Sequence, residues 1–96
     1  MKLDATSMTN DNAALLLDAG VAAIRGGDTT FDLAAVRQVD SAAVALLLAW
    51  QREAQAAAPG GCVTLTNVPP ALTSLATLYG VESLLGCPAP AHHPPH

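Results

Sequence analysis

Apolar side chains repeat at three- and four-residue intervals from Ala13-Ala14-Leu15-Leu16-Leu17 through Val21, Ala22 and Ile24. That period predicts a helix with one buried stripe. Asn10 and Asp11, residue types that cap helix starts, precede it, and Gly26-Gly27 supplies the left-handed ending that helices favour. Thr29-Thr30-Phe31-Asp32-Leu33 opens β-branched and aromatic behind that turn, which predicts a strand. Asp40-Ser41 then stands before Ala42–Ala58, a run of good helix formers without glycine or proline, ended by Pro59-Gly60-Gly61. Cys62-Val63-Thr64-Leu65-Thr66 alternates as a strand. Pro70 opens a further helix where its missing N–H costs nothing. Leu72, Leu75, Ala76 and Tyr79 are its expected buried stripe, with Gly80 as cap and Val81 placed for the contact that follows such a cap. A weaker strand is expected within residues 2–9, where Leu3, Ala5 and Met8 are sparse.

Strand and helix therefore alternate, which implies right-handed crossovers and an α/β fold with a mostly parallel sheet. A chain of 96 residues holds one domain, expected over residues 1–87. Residues 88–96, rich in proline and histidine, are expected as an extended tail.

Composition narrows the function classes. Apolar residues make up 51 % of the chain, charged residues 12 % and aromatic residues 3 %. The hydrophobicity argues against a disordered chain. Four Lys+Arg against eight Asp+Glu give a net charge of −4, which excludes binding to nucleic acid by phosphate neutralisation. No apolar stretch follows Lys2, so no signal peptide is expected, and no uninterrupted run approaches the roughly 20 apolar residues of a membrane span. The expected location is cytoplasmic. Cys62 and Cys87 lie far apart without metal-type spacing and do not describe a disulfide framework, which leaves one bridge as the alternative.

Candidate chemistry is sparse. Gly26-Gly27 and Gly60-Gly61 match no phosphate-binding loop and read as turns. His92, His93 and His96 all fall in the tail, which leaves no histidine base for nucleophilic catalysis and no oriented metal site. Asp32 and Asp40, near strand ends, form a poor acid–base pair without histidine, lysine or metal beside them. Their expected roles are capping and turns. Trp50, in an apolar helical segment, reads as packing or an interface before a ligand stack. No catalytic residue, metal or cofactor is expected.

The informative stretch is Val39-Asp40-Ser41-Ala42-Ala43-Val44-Ala45-Leu46-Leu47-Leu48. Asp40 fits the cap of a helix whose first turn holds Ser41 near the positive end of the dipole. Apolar residues then encircle the helix, which requires burial on more than one side. A domain this small buries one stripe, so the opposite side is expected to meet a partner, with self-association through the same helix as a further possibility.

Phe31-Asp32-Leu33-Ala34-Ala35-Val36, the Val39–Val44 stretch with its leucine-rich helix, Val63-Thr64-Leu65-Thr66-Asn67-Val68-Pro69, and Leu75-Ala76-Thr77-Leu78-Tyr79-Gly80-Val81 together resemble the STAS domain family. The resemblance spans about residues 3–86 and is greatest toward the MlaB-type subunits of bacterial ABC systems that move phospholipids between membranes. It implies a four-stranded mixed sheet with helices packed on it, no catalysis, and binding to a cytoplasmic ATPase subunit. Asp40, Ser41, Ala42, Ala43, Val44 and Leu47 are the implied partner-binding residues. Asp40, Ser41 and Val44 match the family's loop, whereas Ala43 replaces its glycine. The antagonists of anti-sigma factors in this family are switched by phosphorylation of a hydroxyl after that aspartate. Ser41 is the corresponding candidate phosphoacceptor, without the second hydroxyl that often accompanies it.

Overall fold

A computed structural model describes residues 1–81; the expected tail lies outside them. The order is β1 (Ser7–Met8), α1 (Ala13–Arg25), β2 (Thr30–Asp32), β3 (Gln38–Val39), α2 (Ser41–Ala57), β4 (Thr64–Thr66) and α3 (Pro70–Leu78). All described pairings are parallel. β1 runs beside β3 and β2 beside β4, as two two-stranded ladders. The amino-terminal segment links them: Leu3 N–H donates to Asp32 O at 3.0 Å and Asp32 N–H to Met1 O at 2.9 Å. The α/β class expected for a STAS fold is thus present, with parallel pairs where a mixed sheet of four longer strands was expected.

Side chains mark the strand ends. At Val63, one residue before β4, the Gln51 amide takes both backbone groups: Nε2 donates to Val63 O at 2.9 Å, and Val63 N–H donates to Oε1 at 2.8 Å. β2 ends where the Asp32 carboxylate accepts the Ala34 N–H at 2.9 Å and turns the chain. Cys62 is disulfide-bonded, the single bridge that the two-cysteine count left possible.

Helix ends follow their chemistry with small shifts. α1 starts after Asn12, later than Asn10 or Asp11, because Thr9 O first closes a turn with the N–H groups of Asn12 and Ala13. Its far end takes the left-handed conformation at Gly27 (φ 95°), one residue beyond Gly26 (φ −82°). Asp28 N–H then reaches back to Ala23 O at 2.9 Å. α3 ends in the same way, with Val81 N–H donating to Ala76 O at 2.8 Å. Leu72 and Ala76 are buried as expected and Leu75 is half-buried. Tyr79 is not in the stripe: it sits at the C-cap, past the last helical turn, and is 52 % exposed.

Within the sheet, Leu3, Phe31 and Leu65 are buried while their neighbours Lys2, Thr30 and Thr64 are exposed, so one face carries the core and the other is polar. α2 packs against both α1 and α3. The core centres on Trp50 of α2, fully buried and edge-on to Phe31 with ring centroids 4.8 Å apart at 88°. α1 reaches the indole only because residue 20 is glycine, since a Cβ there would lie 2.1 Å from Trp50 Nε1.

Candidate functional site

The candidate site is the joint between β3 and α2. Val39 ends its strand in parallel register with Met8, and Asp40 follows in extended conformation (φ −137°) as the N-cap of α2. Its carboxylate is used twice. Oδ1 accepts the Ala42 N–H at 2.8 Å, and Oδ2 accepts the Asn10 N–H from the β1–α1 turn at 3.1 Å. Removing such a cap typically costs about 1 kcal/mol. Here it also ties together two loops at the carboxyl ends of neighbouring strands. The β1–α1 turn is braced from within by Asn12, whose Oδ1 accepts the Thr9 N–H at 3.0 Å while Nδ2 donates to Ser7 O at 2.8 Å.

With Asp40 locked, α2 leaves the joint with one face inward. Ala43, Leu46, Leu47, Trp50, Gln51 and Ala54 are buried. Ser41, Ala45 and Leu48 form the exposed stripe at i, i+4 and i+7, flanked by half-buried Ala42 and Val44. Of the six expected partner-binding residues, Asp40, Ser41, Ala42 and Val44 therefore reach the surface. Ala43 (0 % exposed) and Leu47 (1 %) point into the core. Ala45 and Leu48 belong to the surface stripe and were not among the six. Their spacing from Ser41 is the signal, readable once the inward face is known. The stripe carries no charge until Arg52, a turn beyond Leu48.

The family described as "Mlab, STAS domain" matches residues 5–86. This chain belongs to the MlaB-type STAS family. No curated protein matches it. The matched span of the STAS domain includes the whole β3–α2 joint and both loops that Asp40 connects.

Asp32 of this STAS domain is engaged separately from Asp40. Asn67 Nδ2 donates to its Oδ1 at 3.0 Å, and Asn67 itself takes the left-handed conformation at φ 53°. This bond, the Ala34 N–H and the Lys2 charge hold the Asp32 carboxyl below the usual range. Asp32 and Asp40 are thus each engaged in a cap or turn and in one bond to a loop distant in sequence. Among the described residues no three His, Cys, Asp or Glu side chains group as a metal site, and no helix is long and apolar enough to cross a membrane.

Proposed function

We propose that this STAS domain is a non-enzymatic adaptor subunit that docks on the cytoplasmic ATPase of an ABC transporter and supports its assembly or activity. The traffic it serves is phospholipid movement between membranes, in maintenance of outer-membrane lipid asymmetry. The observation that carries this reading is the capped start of α2, where rigid Asp40 presents a charge-free stripe of Ser41, Ala45 and Leu48 beside Val44. Membership of the MlaB-type family supports the choice of partner. Interfaces deplete charge at their centres, and a stripe on a well-packed helix needs little ordering to bind.

The test is co-purification with the ATPase subunit. Ser41→Glu and Val44→Asp each place a carboxylate on the stripe and are expected to weaken capture at least about tenfold, a loss of roughly 1.4 kcal/mol. Circular dichroism and melting of the free domain check that each variant folds. Full capture of both folded variants overturns the interface.

The exposure of Ser41 in the first turn of α2 keeps a second reading open, that of an anti-sigma-factor antagonist switched by phosphorylation. The helix dipole favours a phosphate there, whereas the adjacent Asp40 carboxylate opposes it. Intact mass after incubation with cell extract and ATP separates the readings: an added phosphate on Ser41 supports the switch, and its absence supports the adaptor.

A further inference from the structure

Away from the α2 stripe, α1 and α2 enclose an open groove of about 490 Å³. Leu17, Val21, Ala22 and Ala49 supply its apolar part, and Asp18, Arg25 and Glu53 its charged rim. Arg25 Nε donates to Glu53 Oε1 at 2.8 Å, yet the Arg25 side chain is 69 % exposed and a guanidinium carries five N–H donors. Asp18 is exposed and has no ion-pair partner among the described residues.

These charges have a particular symmetry. Asp18, Ala22 and Arg25 stand at i, i+4 and i+7 on one exposed face of α1, with the two charges about 10 Å apart along the axis. An antiparallel copy of α1, related by a two-fold axis between Val21 and Ala22, places Arg25 of each copy opposite Asp18 of the other. Ala22 at the crossing, with Ala49 in the facing wall, permits close approach of two helices. A contact that matches its own pattern after a two-fold rotation is isologous and closes at two copies.

We propose that the α1–α2 groove is a self-association surface whose occupant is α1 of a second copy of this chain, held by two reciprocal Asp18–Arg25 pairs. A contact confined to one helix and one groove is expected to fall short of the roughly 1,200–2,000 Å² of a stable interface, which makes the dimer weak and readily reversed. None of Ser41, Ala45 and Leu48 lines the groove, and the proposal stands independently of the ATPase reading.

Analytical ultracentrifugation of the full chain over a concentration series, at low and high salt, tests this. The wild type is expected to dimerise reversibly as its concentration rises to about 1 mM, and less so at high salt. Asp18→Arg and Arg25→Asp each set like charges opposite one another twice and are expected to weaken the dimer at least about tenfold. Mixing the two variants sets the paired cations of one chain opposite the paired anions of the other, so the mixture regains wild-type association. Circular dichroism confirms that each variant is folded. A wild type monomeric throughout overturns the proposal and leaves the groove to another protein. Folded single variants that dimerise like wild type, or a mixture that stays monomeric, overturn it equally.

Discussion

Trp50→Ala is expected to lower stability by about 3–5 kcal/mol, the usual cost of emptying a large aromatic site in a core. For a domain of this size that is a fall of at least roughly 12 °C in melting midpoint. The indole is fully buried, meets Phe31 edge-on and fills the space against Gly20, so its loss removes contacts with β2 and α1 at once. The Gly20 contact gives this expectation a sharper form. Gly20→Ala in the wild type drives a methyl into the indole, an overpacking cost of about 1–3 kcal/mol. In the Trp50→Ala background the obstruction is gone, and the same substitution is expected to stabilise by up to about 1 kcal/mol through helix propensity. Thermal melts of the four proteins, followed by circular dichroism, measure the cycle. A Gly20→Ala effect of the same sign in both backgrounds contradicts the packing described.

The second large effect is expected at Gln51. Its amide satisfies both backbone groups of buried Val63, and Gln51→Leu leaves them unpaired at about 1–3 kcal/mol for each group. Gln51→Glu makes the same point through pH. A protonated carboxyl can still accept the Val63 N–H and donate to Val63 O, whereas a carboxylate only accepts. Burial and the opposing carbonyl raise the folded-state pKa above the ordinary value of about 4.3. The favourable arrangement is therefore fully present below that unfolded value and is lost as pH rises through the raised folded one. Denaturant melts of Gln51→Glu are expected to approach wild type in acid and to fall behind it toward neutrality. A gap independent of pH would show that the amide is not what holds Val63.

What was readable in advance follows from the range of the interactions involved. α1, α2 and α3 are visible because their repeats, Asp40, Gly27, Gly80 and Pro70 act within a turn of where they stand. The orientation of α2 is not visible. With apolar residues on every side, nothing local separates Ala43 and Leu47, which face inward, from Ala45 and Leu48, which face out. The inward face is chosen by Gly20 and Phe31, both distant in sequence. Strand lengths are misjudged for a related reason. Val63 has a strand residue's side chain, but its backbone partner is an amide twelve positions away, which no alternation pattern encodes. At the candidate site, the Asp40 cap is local and legible, while its second bond to Asn10 spans thirty residues and is not.

The place of Trp50 also equips the protein with its own optical signal. It is the sole tryptophan of the chain, sealed from solvent beneath α1 on the inward face of α2, opposite the exposed stripe. Its emission belongs to a dry, apolar setting and moves to the red when the core opens. Docking at the Ser41 stripe should leave that emission in place, whereas loss of the α1–α2 contact should shift it. A single fluorescence trace thus separates a variant that has lost its partner from one that has lost its fold.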